Sequence, residues 1–232
     1  MNIIMNNPKQ LTFPWNKENK SSFKGFYPIE SNKQLLFLLQ DADFDDDLLI
    51  FGPKDSGKTY LLQALCNFVN NNGKSSLFLP MKQAIKLSAD ILDSLEAIEL
   101  VCLDGIEHVI GNKAWETAMF NLINRSLNSN NRLIFTSSKN IHNMNFKLND
   151  LDSRLRKIQS HELHCLSDNE ILNALKYIAD LRSIELGNKE AQYLLTYSNR
   201  NISDLVKILE SLDQLSMEMK RRITIPLIKQ VI

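Results

Sequence analysis

Long apolar runs are missing from this chain of 232 residues. None reaches the roughly 18 residues that a membrane-spanning helix needs, and the N-terminus lacks the continuous apolar stretch of a signal peptide. Neither a membrane partner nor a secretory leader is expected. Cysteine is scarce as well: Cys66, Cys102 and Cys165 are odd in number, widely spaced and set among apolar residues. That pattern argues against a disulfide framework or a zinc site and suits reduced core thiols in a cytoplasmic protein. Neither sign of charge is in excess, since 27 lysines and arginines balance 27 aspartates and glutamates. A global basic field of the kind that drives non-specific binding to DNA is thereby excluded. Internal repeats and low-complexity linkers are also missing. What remains is a globular composition, long enough for one α/β domain with a smaller appendage.

The segment through Ser22 is rich in Asn, Lys and Pro and reads as a tail, yet its "QLTFPW" carries Leu11, Phe13 and Trp15. Three bulky apolar side chains cannot build a core in so short a stretch, so they either fold back on the domain or are offered to a partner. Next, "SNKQLLFLLQ" has the spacing of an amphipathic helix, and the acidic run "DADFDDD" that ends it reads as a solvated loop rather than a metal site. From Leu48 onward, short apolar runs at 48–51, 76–80, 100–104 and 132–138 alternate with longer helical patterns. Such alternation predicts an α/β fold with a parallel sheet buried on both faces. A fifth strand is expected in "HELHCL", where "HELH" lacks the histidine spacing of a zinc protease. Beyond it the pattern is helical, beginning with Ser167 and Glu170 as a capping box and continuing near 189–198, 202–219 and 225–232. The expected organisation is a tail at 1–22, a nucleotide-binding α/β domain at 23–166 and a helical lid at 167–232.

Directly after "LLIF" stands "GPKDSGKT", residues 52–59, a full phosphate-loop pattern between strand and helix. Gly52 and Gly57 let backbone N–H groups wrap phosphates, Lys58 reaches the outer phosphate oxygens, and Thr59 offers a hydroxyl to Mg²⁺. Asp104, closing the apolar run "LVCLD", is the expected second metal-holding group at a strand's carboxyl end. At the end of the fourth strand, Ser138 or Thr136 is either a polar sensor of the γ-phosphate or a plain strand terminus. In "DLDSRLRK", Arg154 and Arg156 form either a solvated basic helix end or an arginine that reaches a neighbour's nucleotide.

These motifs together resemble the DnaA-related AAA+ family, and within it the shorter regulatory inactivators of the Hda type. The likeness runs through "KQLTFPW", "FKGFYPIESN", the phosphate loop, "LVCLDGIEHV", "RLIFTSS", "LDSRL" and "LDQLSMEMKRRITIPLIKQVI". It implies an adenine nucleotide, ADP or ATP, with Mg²⁺, held by Gly52, Asp55, Ser56, Gly57, Lys58, Thr59 and Tyr60, with adenine contacts from Tyr27 and Asn32. It also implies that Gln10, Leu11, Phe13 and Pro14 dock on the replicative sliding clamp. Each buried leucine or phenylalanine would be worth roughly 1.5–3 kcal/mol before the cost of ordering the tail. Arg154 matches the family's arginine finger, which acts on ATP bound to DnaA and so blocks premature re-initiation.

Three departures stand out. Many AAA+ ATPases carry a glutamate after the strand-end aspartate, but here the position is Gly105, with Glu107 next, a poor substitute unless the loop bends it back. Tight nucleotide binding with slow intrinsic turnover is therefore expected. Ile29 stands where the family often has glycine, and Ser203 where the lid carries a sensor arginine, Arg200 one turn earlier being the candidate replacement. The competing reading is a helicase-loader or transposition-helper ATPase that binds single-stranded DNA. The chain ends at Ile232, about where the lid ends, so sequence-specific DNA binding is not expected; a homo-oligomer is compatible with the resemblance.

Overall fold

In the computed structural model, which describes residues 21–41 and 44–232, every apolar run from Leu48 to Ser137 forms a strand. Strands β1 (Leu48–Phe51), β2 (Ser76–Pro80), β3 (Leu100–Asp104), β4 (Arg132–Ser137) and β5 (Gln159–Glu162) make one parallel sheet in the order β2-β3-β4-β1-β5. Successive side chains on a strand point to opposite faces, so the continuous runs divide between two cores. Leu49, Val101, Leu103, Leu133 and Phe135 enter one; Leu48, Ile50, Leu100, Cys102 and Ile134 enter the other.

Helices α1 (Lys33–Gln40) and α2 (Lys58–Asn71) cover the second face with Leu36, Leu39, Leu61 and Leu65. The first face is covered by the short α3 (Met81–Ala84), by α4 (Lys113–Ser126), and by α5 (Asn149–Leu155). After the sheet, α6 (Asp168–Leu181), α7 (Asn188–Tyr197), α8 (Ile202–Met219) and α9 (Ile225–Ile228) close a third core around Leu175, Leu194, Leu205, Leu209 and Ile228. The expected α/β sheet followed by a helical lid is thus the observed architecture. Ser167 donates its backbone N–H and its hydroxyl to Glu170 Oε2 at 2.7 and 2.6 Å, which closes the start of α6.

Four expectations need correction. The fifth strand is Gln159–Glu162, two residues earlier than "HELHCL", because it is an edge strand whose residues are mostly exposed and which pairs with β1 through its backbone alone. The last helix is one turn long. Of the cysteines, Cys66 and Cys102 are buried, but Cys165 is exposed, since it lies past β5, with its Sγ 4.0 Å from the carbonyl of Lys54. In the acidic run, Asp47 is turned inward and accepts the N–H of Leu133 at 2.7 Å. Burial pushes its carboxyl above the ordinary 3.8, partly offset by that hydrogen bond. Among the described residues all three cysteines are free, no helix is long and apolar enough to cross a membrane, and no metal-ligating cluster is present. The residues expected to dock on the clamp, Gln10, Leu11, Phe13 and Pro14, lie outside the described residues.

Candidate functional site

The carboxyl ends of β1, β3 and β4 converge on the start of α2, where an open α/β sheet collects ligands. Gly57 stands just before α2 with φ +95°, a left-handed conformation that suits glycine, and a Cβ there would lie 2.8 Å from the Phe26 ring. No side chain caps this helix start, so its first N–H groups face the loop unclaimed, the arrangement that binds anions. Lys58 turns its ammonium back on the loop, donating to the carbonyls of Gly52 and Pro53 at 2.7 Å each and to Ser56 Oγ at 3.2 Å. Burial lowers its pKa from 10.5, against the opposing pull of Glu107 and then Asp104.

Thr59 donates its hydroxyl to Asp104 Oδ2 at 2.8 Å, and Thr136 donates to Asp104 Oδ1 at 2.6 Å. Both carboxylate oxygens are held, which fixes the group's orientation. A hydroxyl and a carboxylate side by side form an oxygen donor set of the kind Mg²⁺ takes, so these residues fit that ion. Of the two sensor candidates at the end of β4, it is Thr136, fully buried, that enters this network. Ser138 lies exposed past the strand and contributes its backbone N–H, donated to Glu107 Oε1 at 3.0 Å. Glu107 does bend back: Gly105, at φ +79°, turns the chain into the tight turn Ile106–Val109 that carries it.

The segment before α1 clamps this region from above. The N–H and carbonyl of Ser22 meet the Tyr60 hydroxyl at 3.2 and 3.3 Å, and the Phe26 ring lies 6.2 Å from that of Tyr60. Tyr27 packs edge-on against Tyr177 of α6 at 5.5 Å, and the Tyr177 hydroxyl donates to the carbonyl of Lys24 at 2.8 Å. Leading segment and lid are therefore joined. Asn32 takes another part than the one expected: at 1% exposure it has no surface to offer an adenine. Its amide donates to the carbonyl of His164 at 3.0 Å and accepts that residue's N–H at 2.9 Å, tying the segment to the end of β5.

Across the loop, a cleft of about 660 Å³ is lined by Lys54 and Asp55 on one side and by Asn199, Arg200, Asn201 and Asp204 on the other. Arg200 lies before α8, in an ion pair with Asp168 at 2.6 Å. Ser203 is exposed on the first turn of α8. At the C-terminal end of α5 the two arginines part company. Arg156 is engaged by Asp152 at 2.5 Å and by His142 Nδ1 at 2.8 Å. The guanidinium of Arg154, a half-buried residue, has no hydrogen bond or ion pair among the described residues. The helix itself is anchored by Glu116, a fully buried carboxylate that sequence reasoning did not single out. It accepts the N–H of Gly111 and that of Leu148, just before α5, at 2.7 Å each. No local pattern marks it, because its partners lie in two separate loops.

Comparison with known proteins agrees with this architecture. The family described as Hda, lid domain, matches residues 168–232. An uncharacterized protein of Haemophilus influenzae strain Rd is 34% identical over 228 residues, covering 97% of this chain and 98% of that one. Domain III of DnaA from Thermotoga maritima superposes with a TM-score of 0.74 at 16% identity, covering 95% of this chain and 98% of the domain. AMPPCP-bound DnaA from Aquifex aeolicus gives 0.69 at 19% identity; the match takes in 83% of this chain and 65% of that longer protein. At such identities the structural likeness speaks for the fold.

Proposed function

The chain belongs to the Hda-like, DnaA-related AAA+ proteins, and we propose that it is a clamp-tethered regulator that lends an arginine to ATP held by DnaA. The coarser part of this reading, a DnaA-related replication regulator that binds nucleotide, is supported by the match to the Hda lid domain and by the fold shared with AMPPCP-bound DnaA. The finer part assigns roles. Gly52, Asp55, Ser56, Gly57, Lys58, Thr59 and Tyr60 hold ADP or ATP, and Thr59 with Asp104 holds Mg²⁺. A tail at 1–22 carries the clamp motif, 23–166 the nucleotide domain and 167–232 the lid. Arg200 would meet the nucleotide from the lid, while buried Thr136 acts through Asp104, whose carboxylate it orients.

The observation that carries the reading is the contrast on α5. A guanidinium left without a partner on the protein is available to a partner's phosphates, whereas one clamped by a carboxylate is not. Arg154 meets that condition and Arg156 does not. The tail would supply local concentration rather than chemistry: a short peptide binds weakly alone, and a clamp with several sites raises its effective concentration.

The test is hydrolysis of labelled ATP preloaded on DnaA, in the presence of DNA-loaded clamp. Wild-type chain should accelerate it, and Arg154→Ala should lose about 10³-fold of that acceleration, the usual worth of an arginine finger. Arg156→Ala should keep most of it, and replacing Leu11 and Phe13 together by alanine should abolish it at low protein concentration only. DnaA that stays ATP-bound with the wild-type chain would sink the reading.

A further inference from the structure

Glu116 stands in the first turn of α4 with no exposed surface, an ionisable side chain inside the core that Trp115 and Met119 of the same helix help to form. Among the described residues no lysine or arginine pairs with it. A carboxylate buried without a counter-charge is costly unless each oxygen finds a donor, so what those oxygens hold shows what the residue is for. Both hold backbone: Oε1 accepts the N–H of Gly111 and Oε2 that of Leu148, at 2.7 Å each.

The two donors tie α5 to the sheet. Gly111, at φ +82°, belongs to the segment that runs on from β3 through the turn Ile106–Val109. Leu148 is the residue just before α5, and its carbonyl accepts the Asp152 N–H at 3.1 Å, the bond that opens the helix. Glu116 therefore holds by its N–H the same residue that starts α5 with its C=O. Leu151 and Leu155 are fully buried and seat one side of the helix on the core, but apolar contact is non-directional and leaves a slide along the axis open. A short charge-assisted bond to the first residue is directional and closes it. Arg154 stands in the same seven-residue helix, so any shift at Leu148 is carried to its guanidinium.

We propose that Glu116 is a positioning residue for Arg154, granted the loan of that arginine to ATP held by DnaA: it sets the register of α5, and with it the point at which the guanidinium meets the partner's phosphates. The role needs a carboxylate, because both loops present donors. Glutamine has one acceptor oxygen, and its amino group would face one of the two N–H groups. An apolar side chain would leave both buried donors without an acceptor.

The test is hydrolysis of labelled ATP preloaded on DnaA, with DNA-loaded clamp, titrated with the full chain as wild type, Glu116→Gln, Arg154→Ala or both changes together. Glu116→Gln should lower the maximal rate about 10-fold, since a displacement of about 1 Å at a reacting group costs up to about 100-fold. The chain concentration giving half the maximal effect should stay within about twofold, because the docking surfaces are untouched. The double variant should be no slower than Arg154→Ala, as expected when one residue acts through the other. Glu116→Asp, which keeps the charge and loses the reach to one loop, should show the same pattern, and ADP binding to either single variant should stay within about twofold of wild type. A wild-type maximal rate in Glu116→Gln overturns the proposal. So does a further loss in the double variant, which would give Glu116 a role apart from Arg154. Loss of ADP binding in both Glu116 variants overturns it as well, marking the residue as general scaffold. If the wild-type chain does not accelerate hydrolysis, or Arg154→Ala equals it, the loan of Arg154 is what fails, and the role of Glu116 falls with it.

Discussion

On the sheet side of the cleft, Thr59, Asp104 and Thr136 hold one another through two short hydrogen bonds, with Thr136 fully buried. On the lid side, Arg200 meets Asp168 alone, and the two side chains are 60% and 72% exposed. The sheet side is set by strands packed on both faces, so its geometry is in place before any ligand arrives. An exposed ion pair contributes little and exchanges readily with water, so the lid side can trade Asp168 for a phosphate at small cost. Nucleotide affinity should therefore come mainly from the sheet side, and the lid should adjust it.

That contrast can be broken most sharply at Lys58. Lys58→Ala removes the ammonium that is turned back onto the loop at 52–59 and should weaken ADP binding about 100-fold, measured by equilibrium titration. Arg200→Ala should weaken it by less than about fivefold, an exposed pair being worth under about 1 kcal/mol. Equal losses in the two variants would show that the lid grips the nucleotide as firmly as the sheet does.

A smaller effect sharpens the contrast within the lid. The carboxyl of Glu170 is held below its ordinary 4.5 by the Ser167 hydroxyl and then by the Ser167 N–H. A depressed carboxyl contributes stability that is complete above 4.5 and is lost as pH falls through the lower folded-state value. Thermal melts in that acid range should show the start of α6 loosening, and Glu170→Gln should flatten the dependence. An unchanged pH profile in the variant would mean that the capping contact does not couple to lid stability.

Much of the fold was legible because burial leaves a plain mark. Strands β1 to β4 are apolar on both faces and appear as continuous runs, and α8 carries its apolar residues at helical spacing from Ile202 to Met219. β5 left no such mark, since Gln159–Glu162 owes its place to β1's unpaired edge rather than to its own side chains. Residues 52–59 stood out for a different reason: phosphate-binding chemistry needs glycine, lysine and threonine at fixed spacing in consecutive residues. The distance of Glu107 from Asp104 along the chain does not report the left-handed turn at Gly105, after which Glu107 meets the Ser138 N–H.

The sequence by itself therefore determined the α/β class, the helical lid and the glycine-bounded turn at 52–59 between β1 and α2. Each of these depends on local pattern or on a contiguous motif, which the order of residues states directly. Only the tertiary structure decided which arginine of α5 is left unpaired, that Asn32 ties the leading segment to His164 instead of facing a ligand, and that Glu116 steadies the start of α5. Those outcomes hang on hydrogen bonds between residues as far as 132 positions apart. Such a partner is chosen by how the sheet and helices pack, and no stretch of the chain encodes it alone.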